Sequence, residues 1–463
     1  MNRLFPLALA GLLSMAAPLR AQGDTQLGAS ANPFMGSAPR GTATTTPIPL
    51  SVKDAVERAL QHNLGLLLQE EAVKTAHGAR WRALASLLPE VSASASSVKQ
   101  VINLDAYGFP GDPSIIGPFN VFDARVYLSQ PLLDLRAVND ARAASANERA
   151  ESLGVRTARD LVTLVAVNLY LESVAAASRI EATHAQQETA DALFKQASDM
   201  KQAGVVAGID VLRAQVQVQN QRQRAIRAEN DYEKAKLQLA RAIGLPPGQA
   251  FTLTDRIPYA PMVDVTLESA LKTAYESRAD YLAMRERVAA AEAGRQAASS
   301  DHLPTLHLDA DYGAIGQTPS DAHATFRVAA TVRVPIFDAG RATARRLESD
   351  ALLRRRQAEL EDFRGRVEYD VRAALLDLRA AGQQLEAAQA NVTLAGQELE
   401  QARDRFAAGV TGNIEVAQAQ ETVAAASESY IGALYAHNLA KASLARAVGT
   451  AEQSVMAFLG GSK

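Results

Sequence analysis

Residues 196–215 read QASDMKQAGVVAGIDVLRAQ, and residues 401–420 read QARDRFAAGVTGNIEVAQAQ; ten of the twenty positions are identical without a gap. A chain that carries one turn twice, at an offset of 205 residues, is built from two copies of one unit. No other feature narrows the fold as far. The likeness extends outward from the turn. SVKDAVERAL from Ser51 aligns with TLESALKTAY from Thr266, and the alignment runs ungapped to Pro89 and Pro304, an offset of 215. SQPLLD, ending at Asp134, aligns with VPIFD, ending at Asp338, at an offset of 204, and LARAIG (239–244) with LARAVG (444–449) at 205. The first copy therefore holds 11 extra residues between its two prolines, in AYGFPGDPSIIGPFN, a stretch rich in turn residues.

These offsets divide the chain into a leader (1–21), an arm (22–50), a first repeat (51–244), a linker (245–265), a second repeat (266–449) and a tail (450–463). The leader has one base, Arg3, ahead of an apolar run from Leu4 to Leu19 broken by Pro6 and Pro18, then Arg20 and a small residue, Ala21, before polar sequence. That is a secretory signal pattern, too short for a membrane anchor. The arm, rich in Gly, Thr, Ser and Pro, reads as extended or disordered.

Composition excludes several classes. There is no cysteine among the 463 residues, so disulfides, thiolate metal sites, thiol nucleophiles and a Cys-linked lipid are all absent. The 7 histidines show no HxxxH or HExxH spacing, which argues against a zinc site. A net charge of −3 with interspersed signs carries no nucleic-acid footprint. No phosphate loop or nucleophile elbow occurs, and no catalytic residue or cofactor is expected.

Within each copy the hydrophobic period changes twice. Residues 51–88 and 266–303 read as a short helix and a longer one, each stopped before a proline. Beyond Pro304 the pattern alternates: Leu306, Leu308, Ala310, Tyr312 and Ala314 share a face opposite His307, Asp309 and Asp311. The return segment sets Phe326, Val328, Ala330, Val332 and Val334 against Arg327, Thr331 and Arg333, and the first copy sets Phe122, Ala124, Val126 and Leu128 against Asp123, Arg125 and Ser129. The stretch after Pro89 is weaker and its phase is open. Such strands fit a transmembrane barrel or, on periodicity alone, a soluble sandwich.

No proline interrupts Arg136 to Gly204 or Arg341 to Ala408, so each segment reads as a continuous helix about 100 Å long. Leu385, Ala388, Val392, Ala395, Leu399, Ala402 and Phe406 step by three and four, a coiled-coil seam that ends at Gly409. Return helices are expected over Ile209–Ile243 and Ile414–Val448. Helices of this length need lateral neighbours, and a coiled-coil spacer is the plainest structure that supplies them.

The ordered recurrence of SVKDAVERALQHN, the LLP and HLP motifs, QPLLD and VPIFDAG, and the G-V-x-x-x-I-[DE]-V-x-x-A-Q turns resembles the TolC-type outer-membrane efflux protein family (outer membrane factors) over about residues 50–450. The resemblance implies a mixed α and β fold: a trimeric 12-stranded transmembrane β-barrel, four strands per chain, continued by a long periplasmic α-helical barrel. It implies an exit duct for a tripartite efflux or type I secretion system, in the outer membrane of a Gram-negative-type cell. Its partners would be outer-membrane lipid, a periplasmic membrane-fusion adaptor and an inner-membrane transporter of RND, ABC or MFS type. The alternative is a periplasmic coiled-coil adaptor or structural protein without a pore.

The family also implies roles for the turns. Gly204 and Gly409 become bends at the periplasmic tips, with loops Val205, Val206, Ala207, Gly208, Ile209 and Val410, Thr411, Gly412, Asn413, Ile414 presented to the adaptor. Asp210 and Glu415 follow in the first turn of each return helix. Where many relatives place a Ser or Thr cap, this chain has Ala207 and Gly412, which implies looser tips. A constriction is expected near Asp199, Glu400, Arg403 and Asp404; Arg403 occupies a spot where a second acid is common, and Arg403 and Arg405 are expected to pair laterally with acids on neighbouring helices.

Overall fold

The computed structural model describes residues 32–109, 111–255 and 265–458. The leader, the arm up to residue 31 and Pro110 lie outside them. After strand β1 (Ile48–Leu50), the first repeat runs α1 (Val52–His62), α2 (Leu64–Ala85), β2 (Glu90–Asn103), β3 (Ile115–Leu133), α3 (Leu135–Gln202) and α4 (Gly208–Ala242). A short β4 (Phe251–Leu253) follows. The second repeat runs α5 (Leu267–Ser277), α6 (Ala279–Ser299), β5 (Thr305–Gly316), β6 (His323–Arg333), α7 (Arg341–Ala407) and α8 (Asn413–Ala447), and α9 (Ala451–Phe458) closes the described chain.

Local chemistry sets the boundaries. Ser51 and Asp54 form a reciprocal capping box on α1, and the Asn63 side chain accepts the Gly65 N–H to start α2. The Asp134 carboxylate accepts the Ala137 N–H at 2.9 Å, and that of Asp338 accepts the Ala342 N–H at 2.7 Å. The aspartate closing each QPLLD or VPIFD motif is thus the start signal of a long helix.

The four long strands form one antiparallel sheet in the order β2-β3-β5-β6. Register settles the open phase of β2. Val91 lies opposite Leu128, which meets Ala310, which meets Val328; Ala93, Val126, Tyr312 and Phe326 form the next row. This apolar face is uncovered, with Tyr312, Phe326 and Val328 all about two-thirds or more exposed in the chain (65%, 76% and 65%). A sandwich would bury it. On the opposite face Arg125 donates to Asp123 at 2.6 Å and to Asp311 at 2.9 Å, and its stem lies across Gly313, where a Cβ would meet Arg125 Cγ at 2.5 Å.

The first hairpin is the longer one, but less of it is turn than its composition suggests. Gly117, Pro118 and Phe119 belong to β3. The register shifts between Gln100 and Ile102, so β3 carries one extra residue there, a bulge. Gly117, at φ 122°, sits in that bulge, and its neighbour Pro118 has no N–H to offer the ladder.

Below the sheet, the helices keep the order of the strands they continue: α2 packs on α3, α3 on α6 and α6 on α7. Toward the tips α4 packs on α3, and α8 packs on both α3 and α7. The wall is one helix thick, so its buried residues form three separate clusters instead of one core. The first gathers Leu50, Val162, Val167, Tyr170, Leu239 and Ile243 around α1, α3 and α4. The second repeats this in the other half around Val367, Val371, Leu378 and Leu444, and the third lies at the tips. One 18-residue stretch of α3 is apolar enough by composition to cross a bilayer, and 61% of it is buried within the chain.

Three segments are more structured than expected. The arm is ordered from residue 32: Phe34 packs where a Cβ on Gly65 would approach to 2.4 Å, and β1 pairs in parallel with β4. The linker therefore contains a strand. The tail contains α9, held by Arg159 against Glu452 and by the Asp160 carboxylate, which accepts the Glu452 N–H at 3.1 Å.

Both lateral edges of the chain are open. Strands β2 and β6 each lack a neighbour on one side, which a bilayer does not tolerate. On α7 the residues Ala344, Leu347, Ala351, Ala358 and Gly365 form an exposed stripe of mostly small side chains at heptad spacing. This stripe suits close approach of a helix from the next chain. Ala351→Arg should convert a heat-resistant trimer into monomers in mild detergent, read by light scattering, with helix content by circular dichroism unchanged and Ala351→Ser still trimeric. A monomeric wild type would remove the ring altogether.

Candidate functional site: the helical tips

Both long hairpins turn through the same backbone device. The N–H of Val205 donates to the Met200 carbonyl at 2.9 Å and that of Gly204 to Lys201 at 3.0 Å; Val410 bonds Arg405 and Gly409 bonds Phe406, each at 3.0 Å. This is the Schellman pattern, which needs a left-handed residue, and Gly204 and Gly409 supply it at φ 74° and 70°. Nothing lies within 4 Å of where a Cβ would stand on either glycine, so backbone conformation alone demands them.

Ala207 and Gly412 are the N-caps of the return helices, and neither makes a side-chain cap. The helices start slightly earlier than expected, so Gly208, Ile209, Asn413 and Ile414 belong to first turns instead of loops. Asp210 and Glu415 stand in those turns, as expected.

The turn residues divide by exposure. Val205, Ile209, Val410 and Ile414 stand out at 60%, 51%, 68% and 47% exposed, an apolar crest. Val206 packs instead on the tip cluster of Leu193, Ala197, Phe406 and Val416. Asn413 departs furthest from the expected docking role: it is 3% exposed, and its side chain donates to the Asp210 carbonyl at 3.0 Å, tying the two tips together. Thr411 is half-buried.

Residues outside the expected set extend the surface. An open groove of about 680 Å³ runs between α4 and α8, lined by Leu212, Val216, Gln217, Ala417 and Gln418 beside Ile209 and Ile414. The sequence signal was present in Ile209, Leu212 and Val216, which step by three and four on a face that does not meet α3.

Of the expected constriction residues, Asp199, Glu400 and Asp404 are exposed and form no ion pair among the described residues. Arg403 makes no ion pair among the described residues; it is half-buried, with Nε lacking a partner there. The lateral pairing falls to Arg405, whose guanidinium lies 3.6 Å from Glu415 across the hairpin. Helical phase explains the difference: Arg403 follows seam residue Ala402 and is drawn into the interhelix contact, whereas Arg405 faces α8 at its first turn.

Comparison with known proteins decides the family. The outer membrane efflux protein family matches residues 55–245 and 270–450, one match per repeat. The chain belongs to this family. It is 25% identical over 376 residues to the outer membrane protein TolC of Vibrio cholerae, covering 79% of this chain and 86% of that one. It is also 25% identical over 412 residues to the pyoverdine export outer membrane protein OpmQ of Pseudomonas aeruginosa, covering 86% and 85%. Among solved structures, the CmeC outer membrane channel of Campylobacter jejuni superposes with a TM-score of 0.77 at 17% identity, covering 91% of this chain and 92% of that one. The protein is thus an outer-membrane exit duct that reaches into the periplasm, each chain giving four strands to a trimeric channel.

The glycines that share one turn geometry differ in what surrounds them. Gly204→Ala and Gly409→Ala should each cost only the left-handed conformation, about 1–2 kcal/mol. Gly244→Ala should cost more, because a Cβ there would stand 2.4 Å from His62 Cβ. Thermal unfolding of the intact trimer followed by circular dichroism should rank Gly244→Ala well below the two tip variants.

Proposed function

We propose that the tips dock a periplasmic membrane-fusion adaptor, and that an inner-membrane transporter supplies the energy while this protein conducts passively and performs no chemistry. The observation that carries this reading is the crest of Val205, Ile209, Val410 and Ile414 beside the α4–α8 groove. Apolar side chains held out by a structured turn, at the end of the molecule furthest from the membrane, have no folding role. A trimer displays the crest six times, twice per chain. Binding residues are thus Val205, Ile209, Val410 and Ile414 with Ala207, Gly208 and Gly412 as close-approach positions; Gly204, Gly409 and Asn413 hold the shape.

The same reading places the narrowest point of the duct about one and a half to two and a half turns above the bends. Asp199, Glu400 and Asp404 are solvent-facing acids that form no ion pair among the described residues, although Arg403 and Arg405 flank Asp404 in the sequence. Their convergence requires the three-fold axis, around which they would make a strongly negative mouth. Arg405, engaged by Glu415, does not neutralise it.

Two outcomes are expected. Val205→Asp with Val410→Asp should abolish export in cells while leaving the trimer inserted and heat-resistant, since both side chains lie outside the tip cluster; normal export would remove the tips as docking site. In planar bilayers, a trivalent cation added from the periplasmic side should block wild-type conductance, and Asp404→Asn or Glu400→Gln should weaken that block. Identical block in all three would place the constriction elsewhere.

A further inference from the structure

The two repeats leave the sheet differently. β3 runs directly into the Asp134 cap, whereas β6 ends at Arg333 and the seven residues Val334–Gly340 precede α7. In that loop Ile336 is 96% exposed and Phe337 89%; their counterparts Leu132 and Leu133 are about half exposed. The loop is held in place. The Asp338 carboxylate accepts the N–H groups of Gly340 at 3.0 Å and Ala342 at 2.7 Å, and Ala339 and Gly340 are both left-handed, at φ 57° and 82°. Ile336 and Phe337 are therefore projected by a fixed turn at the foot of the membrane-facing strand, continuing the apolar face of Val332 and Val334.

Immediately below stand Arg341, Arg345 and Arg346. Three cations in the first two turns of a helix oppose its dipole, and α7 has no acid in its first turn. The first repeat also lacks a first-turn acid, but its first two turns carry one cation and balance it. There Arg136 is matched by Asp140 and Asp301, and the position of Asp140 is occupied by Arg345 in the second copy. Arg345 takes Asp301 at 3.0 Å. Arg346 has no ion pair among the described residues, and Arg341 uses only Nε, toward the Asp338 carbonyl. Arg341 and Arg346 thus lack an acid partner among the described residues, which points to an anion from outside the chain.

We propose that this rim binds one anionic glycerophospholipid per chain from the periplasmic leaflet of the outer membrane. Its acyl chains lie against Ile336 and Phe337, and its phosphate is held by Arg341, while Arg346, about 140° further round the helix, meets the headgroup layer on the adjoining face. The spacing fits: five helical residues advance about 8 Å, and the polar layer on each side of a bilayer is about 5–8 Å deep. A lipid is favoured over a free phosphate because the arginines are continuous with an apolar wedge on the membrane face, and only a molecule with both a chain and a charge satisfies both. Arginine also matches phosphate oxygens with paired donors.

The test uses the purified full-length trimer, titrated with phosphatidylglycerol and separately with phosphatidylcholine, with bound lipid counted by native mass spectrometry. Wild type should take phosphatidylglycerol in preference. Arg341→Gln with Arg346→Gln should weaken that binding about thirty-fold, the loss expected for two basic residues at a membrane surface, and leave phosphatidylcholine unaffected. Arg341→Lys with Arg346→Lys should retain most of the preference, and Phe337→Ser should lower binding of both lipids. Equal uptake of the two lipids by wild type would overturn the proposal, as would unchanged phosphatidylglycerol binding in the glutamine variant. Displacement by inorganic phosphate alone would reduce the site to one for free anions. A glutamine variant that ran as a monomer would assign the arginines to the contact between copies, and would equally defeat it.

Discussion

Every part of this molecule depends on a wall one element thick. A strand in a bilayer must have both edges paired, and a helix about 100 Å long must be covered from its sides. Neither demand can be met by stacking a second layer, because the sheet and helices continue one another. They are met laterally, by keeping the order of strands and helices the same, so that a neighbour in the membrane remains a neighbour below it. The open edges at β2 and β6, and the bare stripe on α7, are the same requirement left unfinished in a single chain.

A thin wall also decides what its buried residues can be. Small side chains dominate the contacts, since alanine lets helix axes approach without a thick hydrophobic filling. Larger side chains gather only where extra elements lie on the wall. Tyr170 shows this: it sits beneath β1, its single O–H shared between the Leu50 carbonyl at 3.0 Å and the Asp255 carboxylate at 2.9 Å. Burial and the nearby Asp255 carboxylate push its phenol well above the usual range. The duplicated halves solve this girdle differently. Asn63 and Arg278 occupy equivalent bends, and where Asn63 is satisfied by backbone, Arg278 is buried between Asp280 and Asp370.

Both proposed sites lie where the wall is interrupted. At the tips the chain must reverse, the cluster beneath is small, and the turns expose apolar side chains that folding does not need. At the rim the second repeat has exchanged an internally balanced set of charges for an unbalanced one. Both are departures of one copy or one end from the regularity around it, and a duplication makes such departures visible by supplying its own reference.

Much of this was legible in the residues themselves. Proline spacing delimited the long helices, alternation delimited three of the four strands, and the seam from Leu385 to Phe406 is buried or half-buried throughout. Those signals are local: a period of two or of 3.6 follows from backbone geometry within one element. The phase of β2 was not legible, because Ser and Ala alternate there and only pairing with β3 assigns a face. Nor was the strand in the linker, the helix in the tail or the docking of Phe34 on Gly65, since each is stabilised by a partner distant in sequence. Asn413 is the sharpest case. Its place in the turn motif made it look presented, and only the approach of α4 to α8 showed that its amide is spent holding the tips together. Sequence determined which elements exist and where they turn; tertiary structure decided which of their side chains remain free, because burial and hydrogen bonding are settled between elements and not within them.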